Sequence, residues 1–453
     1  MKFKKAIALA LSSLMVFSVF AGCSNSGSGG DSGSSGEKTN ISFTSWGDAN
    51  TTDDVMIQEV AIAVDRFNEE NDKNIEITLE VYTNDTYMTK INAMAASNTM
   101  PDAMMQQPGQ KCRDYANAGK LQALNEYLDA DQEWKDSFIN GAFDQVTFDD
   151  EIYAIPISYA ASCVFYNTEL FENAGVNASD IKTWDDFLAA CQSLKDSGVI
   201  PLTMATSSSS AWCIALFTAY LAQRMGGLEP MEAIADRKEG YTFDQDCFIK
   251  AGEMTKDLLD KGYIQSSSLG DSADQATAYF TSGRAAMLCQ GSWVIGQLNA
   301  EGSEIIGKVG VFTFPQVEGG KGDDHMWMVK TDNVSMSSDS ENKEAVLEWM
   351  RYLTADEFQS VSVAQKAGKI PITDVEVDLS ATPAEVQSVS KELESSTGGF
   401  MFFDEWFGNA LGTEWNNTLN AIMAGTKTSE QAFKDLQTYA TTQMDAESES
   451  EAE

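Results

Sequence analysis

Indole rings beside short polar side chains recur where this chain turns. Trp46 closes an alternating apolar run and is followed by Gly47 and Asp48, which puts an indole and a carboxylate where a strand ends. Gln106 and Gln107 follow Pro101-Asp-Ala-Met-Met105 in the same way and supply two amides, each both donor and acceptor. Gly291-Ser292-Trp293 sets a hydroxyl and an indole at a helix start, and Ser209-Ser-Ala-Trp212 repeats that combination. Trp327 and the run Phe402-Phe-Asp-Glu-Trp406 add rings, the run with Asp404 and Glu405 embedded in it. Flat rings cover the C–H faces of a guest, while amides, hydroxyls and carboxylates engage its polar edge, so the set suits a polyhydroxylated small molecule. Packing is the alternative for Trp46 and for the aromatic run from Phe400 to Phe407. Of the nine tryptophans, Trp184 and Trp349 share helix faces with other apolar residues and belong to a core, whereas Trp134 and Trp415 stay open between core and cleft.

Covalent chemistry finds little material here. His325 is the only histidine, which removes histidine-pair metal motifs and disfavours a nucleophilic triad. Asp323-Asp324-His325 lies near glycines and reads as a solvated loop. Carboxylates are abundant, but no pair stands out for acid–base work on a glycosidic bond, and no Gly-rich phosphate loop precedes a lysine. The expectation is a binder, not an enzyme, with no catalytic residue, metal or cofactor. Cys112, Cys163, Cys191, Cys213, Cys247 and Cys289 form no CxxC pair and sit in apolar contexts, as buried and mostly unpaired thiols do.

The elements that must hold these residues alternate. Ile41 to Trp46 and Ile75 to Val81 have the period of strands. Between them Met56, Val60, Ala63 and Phe67 share one helical face. Tyr87, Ile91 and Met94 mark another helix, and Pro101 to Met105 a short buried strand. This β-α-β-α-β order predicts an α/β lobe with a largely parallel sheet. Further on, Tyr153-Ala-Ile-Pro-Ile157 and Cys163-Val-Phe-Tyr166 read as two strands. Thr183-Trp-Asp-Asp186 is a capping box opening a helix, Ala211 to Arg224 is an apolar helix, and Ala432, Leu436 and Tyr439 stripe the last one.

The ends are of another kind. Lys2, Lys4 and Lys5 before an apolar run and a small-residue exit make 1–22 a secretory signal, and the run is short for a membrane span. Cys23 after Ala-Gly resembles the lipobox of bacterial lipoproteins, although Phe20 stands where Leu is usual; soluble secretion is the alternative. The Ser/Gly-rich stretch makes 23–39 a flexible, lipid-anchored tether, suited to the outer face of the cytoplasmic membrane in a Gram-positive cell. With 69 acidic against 30 basic residues, the chain disfavours nucleic acid and anionic membranes as partners. The acidic end, 441–453, is expected to be disordered.

An ordered series of motifs then stands out: Tyr153-Ala-Ile-Pro-Ile157, Phe165-Tyr-Asn-Thr-Glu-Leu-Phe-Glu-Asn-Ala-Gly175, Lys182-Thr-Trp-Asp-Asp-Phe187, Phe280-Thr-Ser-Gly-Arg-Ala-Ala-Met287 and Gly291-Ser-Trp293. Over roughly residues 40–440 the chain resembles family 1 extracellular solute-binding proteins, whose relatives include maltose-binding protein. The resemblance implies a two-lobed, periplasmic-binding-protein-like (type II) α/β fold with a hinge and an interlobe ligand cleft. It implies 40–152 with 312–368 as the first lobe and 153–311 with 369–440 as the second. Crossings are expected near Val146 to Ala154, Val309 to Pro315 and Gly368 to Pro371. Tyr159 would line the hinge, and Trp212 stands where the family contributes an aromatic. The implied function is capture of a carbohydrate, an oligosaccharide, by hinge closure and its delivery to the permease subunits of an ABC transporter; a monomer is expected. The same fold binding a polyamine, peptide or glycerol phosphodiester is the alternative, the last weakened by the lack of an arginine cluster.

Overall fold

The computed structural model describes residues 38–451 apart from 48–53, 237 and 239. The segment expected to be a signal, Cys23 with most of the expected tether, and Asp48 lie outside the described residues. Among the described residues no helix is long and apolar enough to cross a membrane.

The strands are β1 (Thr39–Ser45), β2 (Ile75–Val81), β3 (Ala103–Gln106), β4 (Thr147–Phe148), β5 (Glu151–Ile152), β6 (Ile155–Asn167), β7 (Ile200–Thr203), β8 (Ala285–Gly291), β9 (Val309–Phe312), β10 (Met326–Met336) and β11 (Gly398–Phe400). Nine of them join in one path ordered β2-β1-β3-β10-β6-β8-β7, with β9 added to β6 and β11 to β10, while β4 and β5 form a small hairpin. β1 runs parallel to both β2 and β3, as the alternating strand–helix order of the first lobe requires. β10 and β6 then enter antiparallel.

Where two strands were expected between 153 and 166, one strand of 13 residues runs from Ile155 to Asn167. At about 3.3 Å per residue it is some 40 Å long, enough to serve two cores. Ile155 and Ile157 pack in the first core, around Phe43, Phe67 and Trp349. Val164 packs in the second, around Phe187, Phe217, Tyr220 and Trp415. The 11-residue β10 does the same in reverse, with Met328 in the second core and Val334 in the first. A third apolar cluster, with Phe165, Leu288 and Ile295, covers the other face of the second lobe's sheet. The molecule is thus a two-lobed mixed α/β fold of type II.

The crossings fall where these strands change cores. The first lies within β6, between Ile157 and Cys163, and the second within β10, between Val329 and Asn333. Phe312 and Phe314 pack in the second core, so 312–329 belongs with the second lobe, not the first, and the crossing expected near Val309 to Pro315 is displaced to β10. Strands buried on both faces lose the alternation that would have marked this change. Register slips between Asp332 and Asn333, where Ile157 of β6 is left over as a bulge next to Pro156. The third crossing follows Tyr159, whose N–H and C=O both bond to Ile370 at 2.9 Å. Ile372 still packs in the first core, and Val386 lies in the third cluster beside the second lobe's sheet.

Local signals were read well in the helices. Thr183 Oγ1 accepts from Asp186 N at 3.2 Å, and Asp186 Oδ2 accepts from Thr183 N at 2.9 Å, which completes the capping box. The final helix, Ser429–Glu451, runs into the segment expected to be disordered and continues to Glu451. Asp445-Ala-Glu-Ser-Glu-Ser-Glu-Ala contains neither Gly nor Pro, and its Ala and Glu are good helix formers, so the backbone has no reason to stop. Trp184, Trp349 and also Trp134 and Trp415 are buried in the cores. The six cysteines from Cys112 onward are all free, five of them buried.

Candidate functional site

A cavity of about 570 Å³ opens where the two cores meet. From the first lobe it is lined by Trp46 at the end of β1, Gln107 after β3, and Asp54 and Thr83 at the N-caps of helices Val55–Glu70 and Asn84–Ser97. These are the carboxyl ends of parallel strands and the helix starts that follow them, where α/β sheets place ligands. The second lobe contributes Trp212 and Ser210 at the start of helix Ala211–Gly226, Gln290 near the end of β8, and Trp293 just after it. Phe402, Asp404 and Glu405 come from the short aromatic segment, and Asn416 from helix Gly408–Met423.

The rings form a corner. Trp212 meets Trp293 edge-on with centroids 6.1 Å apart, and Trp293 meets Phe402 at 5.7 Å. Trp46 stands on the opposite lobe, braced edge-on by Tyr87 at 5.3 Å. Gly291 has a structural reason: a Cβ there would lie 2.0 Å from the Trp293 ring. The missing side chain makes room for the indole.

Charge enters from the crossing strands. Lys330 of β10 bonds to Glu405 Oε1 at 3.1 Å, with side-chain exposures of 17% and 6%, and lies 5.9 Å from the Trp293 ring. Burial works against the charge on Lys330, but Glu405 and Asp332 outweigh it and raise its pKa. Burial pushes the Glu405 carboxyl up, with Lys330 and Lys111 holding it partly down. Asp332, two residues along β10, accepts Ser158 Oγ at 2.8 Å and pairs with the Lys369 ammonium. Burial alone would raise the Asp332 pKa; Lys369 and Lys330 reverse that and leave it lowered. Asp54 lies 3.8 Å from the same ammonium, and burial raises its carboxyl because Lys369 offsets only part of the cost.

Six of the expected site residues therefore line one cavity: Trp46, Gln107, Trp212, Trp293, Asp404 and Glu405. Five do not. Gln106 is buried and spends its amide on the Gln107 carbonyl at 2.8 Å. Ser292 is buried, its hydroxyl accepting a long 3.4 Å bond from the Ala161 amide. Tyr159 sits at the hinge beside Ile370, outside the lining. Trp327 is sealed at 2% exposure in the third apolar cluster, because side chains along β10 alternate and Lys330 takes the cavity side. Trp406 packs against Phe403 in the second core with centroids 6.2 Å apart. The position of Asp48 lies outside the described residues.

Sequence reasoning missed Lys330, Asp332 and Lys369. A signal existed: Lys330-Thr-Asp332 interrupts an otherwise apolar strand pattern, and charges inside a buried strand need partners. Asp54, Gln290 and Asn416 carried no such mark. Chemically the cavity can stack and hydrogen-bond. Its serines have no histidine near them, His325 being an exposed residue of the loop before β10, and among the described residues no group of three or more His, Cys, Asp or Glu is placed to hold a metal ion.

Two lobes, three crossings and a ring-lined cleft between them define a solute-binding protein. The comparisons agree: the model for bacterial extracellular solute-binding proteins matches residues 49–360, and the chain belongs to that family. It is 26% identical over 286 residues to the xylose/arabinose-binding protein XacG of Haloferax volcanii, covering 62% of this chain and 59% of that protein. It is 23% identical over 182 residues to an arabinooligosaccharide-binding protein of Bacillus subtilis, covering 40% of each. The chain thus spans less than two thirds of the length of these relatives. Among solved structures, one from work on xylan utilization by the thermophile Caldanaerobius polysaccharolyticus superposes with a TM-score of 0.80 at 26% identity, covering 88% of this chain and 99% of that one. A chitin oligosaccharide binding protein gives 0.82 at 23% identity, covering 90% and 99%, and so shares the fold.

Proposed function

We propose that this protein captures a carbohydrate, an oligosaccharide, outside the cell by closing its lobes over it, and delivers it to the permease of an ABC importer. The observation that carries the reading is the opposed placement of rings. Trp46 faces the cavity from one lobe and Trp212, Trp293 and Phe402 from the other, with the amides of Gln107, Gln290 and Asn416 between them. Closure would bring both sets onto one guest, which neither lobe can grip alone. Relatives named for pentoses and for pentose oligosaccharides add support. The anchor belongs to the same proposal: Cys23 carries the lipid and 23–39 the tether, and Cys23→Ala is expected to release the protein into the medium.

Titration calorimetry with xylo-, arabino-, malto- and chito-oligosaccharides tests the binding. Trp46→Ala and Trp293→Ala should each weaken the tightest binder about tenfold or more, as loss of a central aromatic contact does. Unchanged affinity in both variants would refute the site, and no binding by any sugar would refute the ligand class. A second reading, a cationic polyamine, is favoured by one observation: five carboxylates line the cavity against two lysines. Binding of spermidine with none of the sugars bound would select it.

A further inference from the structure

The cavity's charge and its unpartnered atoms bear on which sugars it admits. Asp54, Asp274, Asp332, Asp404 and Glu405 line it. The cations among the lining residues are Lys330 and Lys369, each already paired, with Glu405 and with Asp332, and no arginine lines it among the described residues. A guest carboxylate would therefore enter a field of its own sign and compete with existing ion pairs.

The unpartnered polar atoms of the lining point the same way. Glu405 is 5% exposed; Lys330 holds its Oε1, while its Oε2 has no hydrogen-bond partner among the described residues. Gln107 Oε1 and Asn416 Oδ1 are likewise buried without a partner. All three are acceptors, and the guest groups that satisfy them are donors: hydroxyl, amide N–H or ammonium. An ionised carboxylate or phosphate carries acceptors only and would leave whichever of these atoms it faces unpaired, which is how a polar site rejects a near-isostere.

Resting on the carbohydrate reading, we propose that this cleft selects neutral and amino sugars and turns away uronic acids and sugar phosphates, with Glu405 and Asp404 as the discriminating residues. The guest's donors meet Glu405 Oε2 while its ring lies against Trp293 and Phe402.

The test uses the folded protein and matched trimers. Maltotriose, galactotriose, cellotriose and chitotriose are each titrated beside the same trimer with its terminal primary alcohol oxidised to a carboxylate. The carboxamide of each oxidised trimer controls for size. Each neutral trimer that binds should exceed its acidic form by about tenfold or more, with the carboxamide close to the parent. The gap should narrow as salt is raised, because screening weakens charge repulsion. Asp404→Asn, which keeps shape and removes charge, should narrow it by about threefold, and Glu405→Gln likewise if it folds. An acidic trimer binding as well as its parent overturns the proposal while leaving the carbohydrate reading intact. A carboxamide excluded as strongly as the acid overturns it in favour of simple size. An Asp404→Asn protein with an unchanged gap overturns the residue assignment, and no binding by any of the four trimers overturns this inference, and with it the carbohydrate reading if the xylo- and arabino-oligosaccharides also fail to bind.

Discussion

Asp332→Asn should loosen the hinge from its centre. Asp332 lies on the second crossing, Ser158 on the first and Lys369 at the start of the third, and a single carboxylate oxygen, Asp332 Oδ2, receives both of the others. Asp332 and Lys369 are 3% and 1% exposed. The substitution therefore leaves a buried ammonium with, among the described residues, only Asp54, 3.8 Å away, to balance it. Breaking one partner of a buried pair costs about 3–5 kcal/mol, mostly the desolvation of the charge left behind. For a folded body of about 400 residues, with an unfolding entropy near 2.1 cal/mol/K per residue, that is a fall in Tm of about 4–6 °C. Differential scanning calorimetry measures it directly. The sign with pH follows from the lowered pKa of Asp332. Its contribution is complete above the unfolded value of about 3.9 and is lost as pH falls through the depressed folded value, so wild type and variant should converge in acid. Asp54, whose pKa is raised, works in the opposite sense and blunts the convergence. The double change Asp332→Leu with Lys369→Met should cost less than the two single changes summed, since each single change leaves the other charge of the pair buried without this partner. An Asp332→Asn protein melting within about 1 °C of wild type at neutral pH would refute the argument.

Two further expectations separate the site from the scaffold. Gly291→Ala has no backbone strain to pay, because φ is −80°, yet its Cβ would strike the Trp293 ring; oligosaccharide affinity should fall about as far as in Trp293→Ala, and titration calorimetry would show it. Trp349→Ala removes a fully buried indole packed edge-on against Phe43 and Phe67, each 5.5 Å away, and should cost about 3–5 kcal/mol in denaturant unfolding; its binding affinity, measured below the transition, should stay that of wild type.

What the chain determined by itself was local. The periods of β2 and of helix Val55–Glu70, the capping box at Thr183, the buried thiols and the order of motifs from Tyr153 to Trp293 were all legible, because each depends on neighbours within about a dozen positions. Rings at strand ends and helix starts could be picked out for the same reason, and half of them share the cavity. The crossings were not legible. A strand buried on both faces loses the polar–apolar alternation, so the period of Ile155 to Asn167 does not mark where one core gives way to the other. Nor did the residues that fill the hinge announce one another: Ser158, Asp332 and Lys369 are 174 and 37 positions apart in pairs, and only the pairing of β6 with β10 brings their side chains to one carboxylate. Which face of β10 a residue takes decided that Lys330 meets Glu405 in the cavity and Trp327 is sealed away from it. That choice is a matter of register, and register belongs to the assembled sheet.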